Sequence, residues 1–177
     1  MDTNAINATA NTAAVAIINT TVEKFHDDMM GCYLDTYGTE EFRDYVFEID
    51  ITVYRFATSK RNRDFLLGYL LEECTARDIV ADSLDRLIPT IKDDAAVSQL
   101  LTMRAIATMY GTNDTEDIAS DISAALQLDD TNSLAIILDS YGRVYDGRFD
   151  AALEPISDGV TDTWEAFGLN RADIEGC

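Results

Sequence analysis

Along most of this chain the apolar residues recur at spacings of three and four, the period of a helix with one face turned inward. Val15, Ile18, Val22, Phe25, Met29 and Cys32 make one clean stripe. Gly38 ends that segment, Thr39 is placed to cap the next, and Glu40 and Glu41 sit favourably at a helix N-terminus. Phe65, Leu66, Tyr69 and Leu70 predict a helix over 63–74, with Asn62 as its cap. Thr75 and Asp78 have the spacing of a capping box for a helix facing inward with Ile79, Val80, Leu84, Leu87 and Ile88, which Pro89 stops. Asp93 opens a helix over 94–110.

The stretch 100–153 reads as stacked antiparallel helices. A helix over 116–128 ends in Ala125-Leu126-Gln127-Leu128, the turn Asp129-Asp130-Thr131-Asn132 follows, and a new helix starts at Leu134 and Ala135 with Thr131 or Asn132 as its cap. Leu134, Ile137, Leu138, Tyr141 and Tyr145 fall on one face, while Asp139, Arg143 and Asp146 fall elsewhere. Gly147 closes the helix, because glycine reaches the left-handed conformation without strain. Phe149, Ala152 and Leu153 begin another apolar face, Pro155 and Gly159 break the chain, and Thr161 starts a short helix with Trp164 and Phe167.

One segment reads both ways. Phe42, Val46, Ile49, Val53 and Phe56 fit a helical stripe over 40–57, yet Phe47, Ile49, Ile51 and Val53 alternate with Glu48, Asp50 and Thr52 as in a strand around 45–56. A lone strand would leave its backbone groups unmatched, which favours the helix. With Phe47, Ile51 and Tyr54 on its other side, that helix would be central. The expected fold is all-α: a single-domain bundle or stack of antiparallel helical hairpins, about seven or eight helices, spanning 12–167 between flexible ends at 1–11 and 168–177.

The hairpin at 125–153 resembles a tetratricopeptide repeat, a unit of about 34 residues of paired helices with small residues where they touch. Ala125 and Leu126 match the repeat's Ala-Leu end, and Gly147-Arg148-Phe149-Asp150-Ala151-Ala152-Leu153 matches its next turn and second helix, while Asp130 stands where the family prefers proline. The pair at 100–110 and 116–128 matches with Ala105, Ala107 and Ala119 one place out of register. The resemblance covers about one and a half repeats and implies that the inner face of the stack binds a protein. That face would comprise Met103, Tyr110, Leu134, Ile137, Tyr141, Val144 and Tyr145, or these residues are core. The run from Ala105 through Leu138, with Arg63-Asp64-Phe65-Leu66-Leu67 upstream, also resembles the C-terminal half of an uncharacterised family of actinobacteria and their phages. That resemblance implies helices and no chemistry.

Composition adds a strong charge. The chain has 177 residues, of which 33 are Asp or Glu and 13 Lys or Arg, for a net charge of −20. Such a surface repels nucleic acid and anionic membranes and attracts basic partners. Solubility and salt adaptation explain it as well as function does, and Lys24, Lys60 and Lys92 are the only lysines. No apolar run of about eighteen residues predicts a membrane span. The start of the chain lacks the basic and apolar parts of a signal peptide, and Cys32, Cys74 and Cys177 have no metal or disulfide spacing. A cytoplasmic protein with reduced thiols is expected.

Catalytic chemistry finds little footing. Glu23-x-x-His26 has the spacing of a di-iron half-site, but His26 is the only histidine, so the second half-site cannot be built. There is no nucleophile elbow, Walker loop or dinucleotide fingerprint. Asp129-x-Thr131-x-Ser133 begins like a calcium loop, but Leu134 stands at the glycine place. Lys60, Arg61 and Arg63 form the one basic cluster. No enzyme, cofactor or metal is therefore expected. One functional expectation is an acidic helical interaction module, an adaptor or regulator. The alternative is a nucleic-acid mimic of the anti-restriction or anti-CRISPR kind, which would fill a basic groove with Asp114, Glu116, Asp117, Asp121, Asp129 and Asp130. A homodimer through the 15–32 stripe is a third option.

Overall fold

A computed structural model describes residues 40–59, 63, 64, 66, 67, 74–112 and 114–166. The 15–32 stripe, His26, the cluster at 60–62, most of the helix expected at 63–74, Phe167 and both chain ends lie outside the described residues. So do the limits at 12 and 167 expected for a single domain. Contacts divide the chain into two compact units: Val46–Val160, and Met1–Tyr45 with Thr161–Cys177. In the second of these, the described residues are helical ends, at 40–45 and 161–166.

The fold is all-α. Six α-helices and a 3-10 turn account for the described elements, with no strand among the described residues. They are α1 (Glu40–Ala57), α2 (Cys74–Leu87), α3 (Asp94–Tyr110), α4 (Thr115–Leu128), α5 (Ser133–Val144), the 3-10 turn Phe149–Ala152, and α6 (Leu153–Ala166). Residues 63, 64, 66 and 67 are also helical, with Leu66 and Leu67 buried.

The ambiguous segment is a helix. Ile49, Val53 and Ala57 of α1 are buried at spacings of four, and Asp50 binds α2 through Arg86 (Nε 3.1 Å, Nη2 2.8 Å) and Ser83 (Oγ 2.7 Å). Packing overrides the strand preference of its β-branched residues. The helix is not apolar-buried all round, however, because Phe47 is 65% exposed. The central element is α3. It buries residues on every side, including Leu100, Leu101, Met103, Ala105, Ile106 and Ala107, as expected of a helix that carries few polar residues.

Short connections at 111–114 and 129–132 make α3, α4 and α5 successive antiparallel neighbours. Leu101, Ala125 and Ala135 meet in one cluster where these three helices touch, with Ile88, Val97, Ala124 and Leu126 around it. The alanines let the backbones approach closely. Asp93 caps α3 by accepting from the Ala96 amide at 2.9 Å.

Two local expectations are corrected. Thr75 does not cap a helix, since α2 already includes Cys74. Pro155 and Gly159 do not break the chain, since α6 runs through both. Pro155 is the third residue of α6, where its missing N–H would have had no partner inside the helix.

Gly142 and Gly159 differ in what surrounds them. A Cβ on Gly142 would lie 2.2 Å from the Phe149 ring, whereas one on Gly159 meets nothing within 4 Å. Gly142→Ala should lower stability by about 1–3 kcal/mol. Gly159→Ala should raise it by about 0.5–1 kcal/mol, the helix-propensity gain. Denaturant unfolding of the two variants checks both signs.

Candidate functional site

Helix α5 carries the most exposed apolar surface described, and its two ends are firmly built. At the N-terminus Asn132, rather than Thr131, is the cap, and its side-chain oxygen accepts from the Ala135 amide at 3.4 Å. Its NH2 group donates to Ser98 Oγ and Thr102 Oγ1 of α3, both at 2.9 Å. At the C-terminus the Gly147 amide donates to the Gly142 carbonyl at 2.8 Å. The left-handed conformation is shared: Asp146 takes it first (φ 53°), and Gly147 follows (φ 83°).

Between these ends α5 has two faces. Leu134, Ala135, Leu138 and Gly142 are buried. Beside them Ile137 (44% exposed), Tyr141 and Val144 (74%) form a stripe at spacings of four and three. Tyr145 extends it, its ring stacked on Tyr141 at 5.7 Å and 15°. No charge interrupts the stripe. Exposed Ser133 and Ser140 border it, while the Arg143–Asp139 pair (2.8 Å) lies on the opposite flank of the helix.

The expected binding face is thus only partly on the surface. Met103 and Leu134 are buried and belong to the core, Met103 on the enclosed α3 and Leu134 on the buried face of α5 together with Leu138. Tyr110 has a structural place at the end of α3. Arg77 donates to its carbonyl at 2.8 Å and lies 5.5 Å from its ring centroid. Ile136 and Leu128 are exposed apolar residues that periodicity did not single out. Ile136 falls beside Arg143, away from the stripe, and gives no signal in the sequence.

The acidic residues also separate by role. Asp121 is buried, and Arg104 grips both its oxygens (Nε 2.8 Å, Nη2 2.6 Å) while reaching Asp85 on α2 at 2.8 Å. The Asp121 contact, reinforced by Asp85, raises the Arg104 pKa further against the opposing effect of burial. Asp121 is therefore committed to holding α2, α3 and α4 together and does not face a partner. Asp114 caps α4 through the Glu116 and Asp117 amides at 3.0 and 3.3 Å. Asp129 folds its own turn by accepting from Thr131 N and Oγ1 at 3.0 and 2.6 Å. Glu116, Asp117 and Asp130 are exposed.

Among the described residues no group of three or more His, Cys, Asp or Glu could hold a metal ion, and no described helix is long and apolar enough to cross a membrane. Compared with protein-family models, curated proteins and solved structures, the chain matches none.

Two measurements follow from these roles. Asp121→Asn should cost about 1–3 kcal/mol of stability through the weakened Arg104 contact, while Asp117→Asn on the exposed face of α4 should stay within about 0.5 kcal/mol. Burial pushes the Tyr110 phenol up to about 12, and nearby Arg77 opposes the shift. Below pH about 10 both folded and unfolded chains keep that proton. Between about 10 and 12 the unfolded chain ionises first, so stability falls as pH rises. Tyr110→Phe should remove that part of the alkaline fall, which unfolding curves across the range would register.

Proposed function

We propose that this protein is a non-enzymatic, cytoplasmic interaction module that binds a protein partner along the exposed stripe of α5. The observation that carries this reading is the uncharged run of exposed Ile137, Val144 and Tyr145 with half-buried Tyr141 among them, on a chain with a net charge of −20. Exposed single apolar residues are ordinary, but a contiguous apolar patch marks an interaction surface. The resemblance to tetratricopeptide hairpins points to the same role. A rigid helix that is capped at one end and closed at the other by a 6→1 hydrogen bond presents such a stripe in a fixed geometry, which lowers the ordering cost of binding.

A second reading has one observation in its favour. The described arginines of α2, α3 and α5, and Arg148 before the 3-10 turn, are engaged within the chain, so Glu116, Asp117 and Asp130 remain as surplus negative charge suited to a basic groove. Mimicry of nucleic acid would place the contact there, without Asp121.

The two readings separate in one experiment. Partners captured from lysate of the source cell by wild type and by Val144→Asp are washed at low and high salt. Val144 is 74% exposed, so the variant should fold within about 0.5 kcal/mol of wild type. The interaction reading expects a partner that survives high salt and is lost with Val144→Asp. A partner lost at high salt and indifferent to Val144→Asp points to charge mimicry instead.

A further inference from the structure

We infer that the stripe on α5 is shaped for a basic amphipathic helix of another protein, one with apolar residues at spacings of three and four and with Lys or Arg towards both ends. This rests on the docking role proposed for the stripe and adds the chemistry of its partner. Ile137, Tyr141 and Val144 lie along one line of a helix about 18 Å long. A second helix laid against it meets that line with its own i, i+3 or i+4, and i+7 anchors.

Charge selects among such helices. Asp130 lies in the turn before α5 and Asp146 just after its end, and both are exposed. Neither side chain has a hydrogen bond or ion pair among the described residues. The cations of α5 and of the loop after it are already paired, Arg143 with Asp139 at 2.8 Å and Arg148 with Asp150 at 3.7 Å. An acidic or neutral helix would leave Asp130 and Asp146 uncompensated, whereas Lys or Arg at its two ends would meet them. A second copy of this chain fits poorly for the same reason. Antiparallel pairing of two α5 stripes about a twofold axis would set Asp130 of one copy beside Asp146 of the other, and each copy brings a charge of −20.

The test titrates the full-length protein into three fluorescein-labelled synthetic peptides and follows anisotropy. The first is a Leu/Lys peptide with leucines at helical spacing. The second has the same composition in scrambled order, and the third keeps the pattern with Glu for Lys. The patterned Lys peptide should bind about tenfold or more tightly than either control, a difference of about 1.4 kcal/mol. Val144→Asp should weaken it about tenfold even though the substitution adds negative charge, so a purely electrostatic complex would instead tighten. The pair Asp130→Asn and Asp146→Asn, both exposed, should weaken it severalfold and flatten its salt dependence. Equal binding of patterned and scrambled peptides, or tighter binding by Val144→Asp, overturns the inference, because the attraction would then be that of a polyanion. Sedimentation of the same samples separates the two levels. A wild-type dimer that Val144→Asp dissociates, with no peptide preference, overturns the basic helix and keeps the stripe as a docking surface. A monomer with no peptide preference and no salt-resistant partner overturns both.

Discussion

Helix α3 is enclosed on nearly all sides, so polar groups on its buried faces need partners inside the protein, and all but the Tyr110 hydroxyl at its end have one. An unmatched buried hydroxyl or guanidinium costs more than a good hydrogen bond gains. Ser98 and Thr102 are matched by the side chain of Asn132, and Thr102 also donates to the Ser98 carbonyl at 2.8 Å. Arg104 is matched by Asp121 and Asp85. These contacts set where the neighbours sit. Asn132 fixes the start of α5 against α3, and Arg104 ties α3 to both α2 and α4. Apolar packing supplies the larger share of stability, but it is non-directional. The polar matches select one arrangement of helices that are otherwise similar in length and pattern.

The exposed stripe depends on that arrangement. Asn132 serves as cap and interhelix contact with one side chain, so the rotation of α5 about its axis is fixed at its first turn. Gly142 then admits the Phe149 ring against the helix, which holds the other end. With Leu134, Leu138 and Gly142 turned inward, Ile137, Tyr141 and Val144 have no room in the core and lie on its flank. Surface character here is a consequence of packing, and the residue types alone would suit either place.

Much of the fold was legible from periodicity. The stops and starts of α3 and α5 follow from Asp93, the turn at 129–132 and Gly147, whose local chemistry ends or begins a helix whatever the surroundings, whereas Asp114, which reads in the sequence only as one of many acidic residues, is the cap that begins α4. Less was legible at 40–57, where alternation and helical stripe coincide, and the burial of Ile49, Val53 and Ala57 with the contacts of Asp50 to Ser83 and Arg86 separates them. Pro155 and Gly159 were misleading because each carries a strong local penalty that its position in α6 relieves or that packing tolerates. Of the proposed surface, Met103 and Leu134 share the helical spacing of their exposed neighbours. A stripe that spans both the core and its edge has no mark in the sequence where one becomes the other.

The sequence by itself determined the helical class, the position of the central helices, and the large negative charge, because these depend on local conformational preference and on a sum over residue types. Tertiary structure alone decided which apolar residues of α5 stay outside, that Asp121 is an internal strut while Glu116 and Asp117 are exposed, and that α3 is the element enclosed by the others. Each of these depends on which side of a helix meets another, a relation between residues distant in the chain. Buried polar groups such as Asn132, Ser98 and Thr102 settle it once the helices are assembled.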